Sequence, residues 1–140
     1  MVSTWHEPGS DLVERGEAGW AGLWALLDAG GHATLTLSLV APLGLGVDLA
    51  FAAIELGEAR DELEWTHEEL ARRGPVRLGP LPIGEAVDEA RKVVERLVEA
   101  ATQRALLLGD EATTPEELAC LGRVLRKLHT AEQEFARATL

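Results

Sequence analysis

The chain has 140 residues, 24 acidic and 13 basic side chains, a formal charge of −11 and a pI near 4.7. This length fits one domain with one hydrophobic core. The negative charge disfavours nucleic acid as a partner, because affinity for phosphates depends on basic groups. The only cysteine, Cys120, excludes an internal disulfide and favours a cytoplasmic location.

A first helix is predicted from Ser10, a typical N-cap residue, to about Asp28, following an N-terminal arm of residues 1–9. Ala29-Gly30-Gly31 is expected to end this helix. Glycines recur every three residues inside it and leave two alternatives open: a helix or ligand approaches that face closely, or the helix is kinked or frayed. These glycines are Gly16, Gly19 and Gly22.

The segment 32–41 is ambiguous, because leucines alternate with Thr34, Thr36 and Ser38 at the period of a strand. A short buried helix is favoured because no second strand signal occurs elsewhere. A strand is the alternative if a second subunit pairs with it. The surrounding apolar stretch, residues 33–54, is interrupted by Pro42 and Asp48, so two buried elements joined by a turn are expected rather than a membrane span.

A long helix is predicted from about Gly46 to Arg73. Its first half is apolar on nearly all sides and is therefore expected to be central or at a subunit contact. Its core stripe is Leu49, Ala52, Leu56, Ala59, Leu63 and Leu70, and the second apolar side is Val47, Phe51 and Ile54.

The linker Gly79-Pro80-Leu81-Pro82 is too rigid for a helix and predicts a crossover. A third helix is predicted from Ile83 to Leu108. A fourth begins after Thr114, with Pro115 at its first position and Glu117 at the reciprocal capping position. The fold prediction is an all-α, antiparallel, up-and-down bundle of four to five helices over residues 10–140, preceded by the short arm.

Two histidines and two glutamates are the candidates for chemistry. Glu64 and His67 share one side of the long helix at spacing i, i+3, the unit of carboxylate metal sites in helical bundles. His129 and Glu132 repeat the pair in reverse order on the fourth helix. The four residues are the candidate ligands of a divalent metal ion, although a di-metal site needs more inward carboxylates than the sequence offers.

Glu132 also lies on the predicted apolar seam of the fourth helix, where a carboxylate needs a cation or an imidazole beside it. His67 or His129 is the expected partner. Such a group of Glu132 with the two histidines predicts a general base or a ligand anchor. The alternative is that Glu132 reaches water near the end of the helix.

The leading functional hypothesis is a non-catalytic, cytoplasmic binding or regulatory protein, a homodimer that holds a protein partner or a small apolar ligand, without a cofactor or a membrane. It is based on the surplus of apolar residues beyond one small core. The predicted partner or ligand surface comprises Trp5, Trp20, Trp24 and Phe51. The alternative is a small enzyme or metal-binding protein built on Glu64, His67, His129 and Glu132. A third class, an acidic decoy of a nucleic-acid-binding surface, follows from the charge alone.

Overall fold

This computed structural model describes residues 2–138 of the chain. That part contains five α-helices and one short 3-10 helix. No strand occurs within that part. The prediction of an all-α bundle is confirmed. In chain order the elements are α1 (His6–Arg15), α2 (Gly19–Val40), α3 (Leu43–Thr66), the 3-10 helix (Glu68–Arg72), α4 (Val87–Glu111) and α5 (Pro115–Arg137).

The four long helices form a ring in which α2 and α5 each pack against both α3 and α4. The end of α3 lies beside the start of α5, where the Cys120 thiol donates a hydrogen bond to the Glu62 carbonyl. The starts of α3 and α4 meet the end of α5 at the opposite end of the bundle. Neighbouring helices are therefore antiparallel, whereas the diagonal pair α3 and α4 run in the same direction.

The link between α3 and α4, residues 67–86, consequently travels from one end of the bundle to the other. The crossover predicted at Gly79-Pro80-Leu81-Pro82 is confirmed. The up-and-down order is interrupted there, so the bundle has the single long connection seen in one class of four-helix folds.

The first predicted helix is divided in two. α1 ends before Gly16, and Gly19 begins α2 with a φ of +73°, a left-handed conformation that favours glycine. The kinked alternative is therefore the correct one at Gly16 and Gly19, whereas at Gly22 a Cβ atom would meet the Arg104 side chain of α4, as the close-approach alternative expects. α1 also begins at His6, inside the predicted arm, and the Ser10 hydroxyl accepts a hydrogen bond from Arg96 (3.0 Å) instead of capping a helix.

The predicted stop at Ala29-Gly30-Gly31 is wrong, because α2 continues through these residues to Val40. Both glycines face other helices: a Cβ atom on Gly31 would lie 3.5 Å from Leu56 Cβ. Tertiary packing thus compensates their low helix propensity. The segment 32–41 is helical up to Val40, as favoured, and the strand alternative is wrong.

Two other boundaries differ from the prediction. α3 ends at Thr66 because the His67 backbone leaves the helical region (φ −127°, ψ 87°), and only the 3-10 helix follows. α4 begins at Val87 rather than Ile83, which is fully exposed beside Gly84 (φ +85°). α4 also extends past Leu108 to Glu111.

The predicted start of α5 is confirmed. The Thr114 hydroxyl accepts a hydrogen bond from the Glu117 backbone N–H (3.2 Å), and Pro115 occupies the first turn. Leu118, in the first turns of α5, is half-exposed. The buried residues are Cys120, Leu121, Val124, Leu128, Ala131 and Phe135.

A glycine allows α2 and α3 to approach each other closely at the turn that joins them. A Cβ atom on Gly46 would lie 2.6 Å from the Ser38 carbonyl oxygen, which belongs to the backbone and cannot rotate away. By contrast, no atom lies within 4 Å of a Cβ atom built on Gly57, farther along the same helix. Gly46 is therefore required by packing and Gly57 is not.

We expect Gly46→Ala to destabilise the protein by about 1–3 kcal/mol, because the two helices must separate to admit the methyl group. Gly57→Ala is the matched control and should stabilise by about 0.4–1 kcal/mol through helix propensity and unfolded-state entropy. Urea unfolding followed by circular dichroism measures both. Equal effects of the two substitutions would contradict the close approach at Gly46.

Candidate functional site

The four residues predicted to form an interior site are not brought together. His67 lies at the end of α3 against Glu117, in the first turn of α5. About three turns of α5, or ~18 Å at 1.5 Å per residue, separate Glu117 from His129. Within residues 2–138 no group of three or more His, Cys, Asp or Glu side chains can hold a metal ion. The four residues predicted as metal ligands therefore do not form one group in this part of the chain.

Glu64 and His67 point to different helices although they are three residues apart. Glu64 Oε2 accepts a hydrogen bond from Trp24 Nε1 of α2 (2.8 Å). His67 Nε2 lies 3.1 Å from Glu117 Oε2, and its Nδ1 lies 3.6 Å from Glu69 Oε1. The pair therefore ties α3 to two neighbours and does not converge on one ion.

The His67 ring also contacts Trp20, with a distance of 4.4 Å between ring centroids. Glu117 was predicted to complete the capping box, and its backbone N–H does bond to Thr114. Its carboxylate accepts a hydrogen bond from the Thr114 hydroxyl at Oε1 (3.4 Å) and contacts His67 at Oε2. This cluster joins the start of α2, the end of α3 and the start of α5. Its arrangement stabilises one end of the bundle.

His129 and Glu132 lie on the exposed side of α5. Glu132 Oε1 accepts a hydrogen bond from the Thr102 hydroxyl of α4 (3.1 Å). The alternative that this carboxylate reaches water is the correct one, because the buried stripe passes through Leu128, Ala131 and Phe135 instead. The predicted catalytic group of Glu132 with His67 and His129 is not assembled.

The most buried charged residue is Asp28, which no sequence pattern singles out and which is 5% exposed in the middle of α2. Its Oδ1 accepts a hydrogen bond from Arg60 of α3 (3.0 Å). Its Oδ2 accepts hydrogen bonds from Arg77 and from the Val76 backbone N–H, both at 2.9 Å. Asp28 thus fastens the crossover to α2 and α3.

Burial by itself raises the pKa of Asp28, but the hydrogen bonds from Val76 and Arg60 and the charge of Arg77 outweigh it. The pKa of Asp28 is therefore held below its usual value. Burial, and then the charge of Arg77, lower the pKa of His32, one turn away. Both carboxylate oxygens of Asp28 accept hydrogen bonds from within the chain, so the residue acts as a structural clasp.

Two of the three tryptophans predicted to form a partner surface are buried. Trp5 is 1% exposed and donates a hydrogen bond from Nε1 to the Gly79 carbonyl (2.9 Å), which also shows that the N-terminal segment is held in place. Trp24 is 3% exposed. Trp20 is partly buried against His67. Of the predicted surface only Phe51, at 54%, is largely exposed.

Phe51 belongs to a group of large apolar side chains on α2 and α3 that we call the apolar face. Its members are between 46% and 85% exposed. They are Leu35, Leu39, Val40, Leu43, Val47, Phe51 and Ile54.

Helix geometry places four of these side chains in a stripe on α3 and Leu35 and Leu39 in a stripe on α2, while Val40 lies at the end of α2 beside the turn to α3. The α3 members recur every three or four residues on the side opposite the buried Leu49 and Leu56. Leu35 and Leu39 are one turn apart on α2, which is held against α3 at Gly46. Beyond Ile54 the same stripe becomes acidic at Glu58 and Asp61.

α2 also has the length and composition of a membrane-spanning helix, with a mean hydropathy of 1.2 over its most apolar window. Most of that window is buried inside the bundle, and Asp28 is engaged in ion pairs near its middle. These are the properties of a core helix in a bundle.

No protein-family model, curated protein or solved structure matches this chain. The geometry of its own residues is therefore the basis for any functional proposal.

We expect Asp28→Asn to destabilise the protein by about 1–3 kcal/mol at pH 7, because it weakens three hydrogen bonds to a buried carboxylate. Asp61→Asn is the control: Asp61 also contacts Arg60 but is 65% exposed, so its loss should change stability by less than about 0.5 kcal/mol. Denaturant unfolding measures both.

The Asp28 effect should also depend on pH. Because the pKa is lowered in the folded state, the stabilisation is present above the ordinary aspartate pKa near 4 and is lost as pH falls through the folded pKa. The difference between wild type and Asp28→Asn should therefore shrink in acid. A difference that stays constant down to pH 2 would contradict a charged clasp.

Cys120 should be inert in the folded protein. It is fully buried, and burial raises the pKa of its thiol, so little reactive thiolate is available. We expect an aromatic disulfide reagent to modify Cys120 only as fast as the protein opens, and immediately in urea. Rapid stoichiometric modification of the native protein would show that the α3–α5 contact is open.

Proposed function

We propose that this protein works by binding another polypeptide through the apolar face and catalyses no reaction. The observation that carries the proposal is the seven-residue apolar face itself. The proposal requires no metal or cofactor. We place the protein in the reducing cytoplasm, consistent with its free cysteine.

The size of the face supports an interaction site. Its seven side chains are about 60% exposed on average. With roughly 150–200 Å² for each side chain, they present on the order of 700 Å² of apolar surface. Monomeric proteins rarely expose more than a few hundred square ångströms of contiguous apolar surface, because such patches promote association.

The shape of the face favours a polypeptide over a small ligand. Small-molecule sites are concave and enclose most of the ligand. The main cavities within residues 2–138 are lined by residues outside the face. A broad surface on two antiparallel helices instead matches the apolar centre of a protein–protein interface.

The buried polar groups support a binding role over catalysis. Asp28 is engaged by Arg60, Arg77 and Val76, and His67 is engaged by Glu117. Neither group stands beside a nucleophile with a lowered pKa, and burial raises the pKa of the Cys120 thiol. These side chains hold helix ends and the crossover together.

Photo-crosslinking in cells tests the proposal. A benzoyl-phenylalanine at position 51 should form adducts with another polypeptide, because this position lies within the face. The same residue at position 133, where an exposed glutamine lies on α5, is the matched control and should form few adducts. Equal labelling at the two positions, or no adduct at position 51, would overturn the proposal.

A further inference from the structure

We infer that the polypeptide bound by the apolar face is a second copy of this chain, in a two-fold arrangement that sets the two faces against each other. This inference rests on the proposed function, since it names the partner for the same surface. The α2–α3 pair of one copy would then pack face to face against the α2–α3 pair of the other.

The area of the face fits such a dimer. On the order of 700 Å² from each copy gives roughly 1,400 Å² in total, within the 1,200–2,000 Å² of standard stable interfaces. A contact of this size needs no additional segment. The apolar face alone therefore provides enough buried area for a homodimer.

The distribution of side chains along α3 is self-complementary. An isologous contact pairs each residue with a residue of the same patch in the other copy. With the axis beside Phe51 and the two α3 helices antiparallel, Val47 of one copy faces Ile54 of the other. The centre of the contact then contains only apolar side chains.

The ends of the contact are also complementary in charge. α3 begins at Leu43 without a side-chain cap, so its N-terminal N–H groups present a positive end. The antiparallel arrangement brings this end towards the acidic part of the partner's α3, beginning at Glu58. Carboxylates near a helix N-terminus are stabilising by a few tenths of a kcal/mol or more.

The net charge of −11 on each copy predicts how dimer formation depends on salt concentration. Two acidic copies repel each other at long range, and salt screens this repulsion. Raising the salt concentration from about 0.05 M to about 0.5 M should therefore tighten the dimer. A complex with a basic partner would show the opposite dependence.

Sedimentation equilibrium of the purified full-length protein tests the inference. We expect the mass of two 15.1 kDa chains, with tighter association at higher salt. Phe51→Glu and Val47→Glu should each weaken the dimer at least about 100-fold, because the two-fold axis places the new charges near each other in an apolar contact. Both positions are exposed in the single chain, so circular dichroism should remain helical.

Leu107→Glu is the matched control, because Leu107 is 60% exposed on α4, outside the face. It should leave the dimer unchanged. A Phe51→Cys variant should also form an intermolecular disulfide under oxidation, whereas Leu107→Cys should not. The native Cys120 is buried and does not compete.

Three outcomes would overturn the inference: a monomer at about 100 μM and high salt, a dimer unaffected by Phe51→Glu and Val47→Glu, or a dimer weakened equally by Leu107→Glu. If the protein is a monomer but position 51 still crosslinks to a different polypeptide, the partner is not a second copy of the chain. The proposed function would then still hold. A monomer without crosslinks would overturn both.

Discussion

The close contact between α2 and α3 is the constraint on which the rest of the structure depends. Gly46 meets the Ser38 carbonyl without room for a methyl group, and Gly31 lets the helices pack closely farther along. This approach buries one side of each helix against α4 and α5. It also turns the opposite sides into a single apolar surface, so one packing contact defines both the core and the proposed interface.

The Asp28 clasp holds the long crossover between α3 and α4, which the topology of the bundle requires. Because α3 and α4 run in the same direction, residues 67–86 must cross the bundle as an irregular segment with few backbone hydrogen bonds of its own. Asp28 binds Arg77 and the Val76 backbone on that segment, and Trp5 binds Gly79 farther along. A buried carboxylate is tolerated here because each partner replaces part of its lost hydration.

The sequence predicted local structure better than it predicted contacts between distant residues. The three-to-four spacing of leucines predicts the helices, and the Thr114-Pro115 pair predicts the start of α5, since both signals act within a few residues. The glycines at 30 and 31 misled because their low helix propensity is compensated by packing against α3 and α4. For Asp28 the partners lie 32 to 49 residues away, so no periodic pattern indicates them.

The four residues predicted to form an interior site are not brought together for a similar reason. Spacing shows that Glu64 and His67 share a side of α3, but it does not show that Trp24 and Glu117 will be nearer than the histidine on α5. The apolar surplus did identify the exposed Phe51, because it compares the amount of apolar surface with the size of one core and needs no knowledge of pairing.

The apolar face and the acidic charge of this chain are compatible because they act at different ranges. Apolar attraction requires contact, whereas repulsion between chains of charge −11 extends over a Debye length of about 10 Å at 0.1 M salt. Random encounters expose acidic surface to acidic surface and are repelled. In the proposed dimer, the contact energy of the buried apolar faces overcomes this repulsion. The charge would then favour one specific association over indiscriminate aggregation.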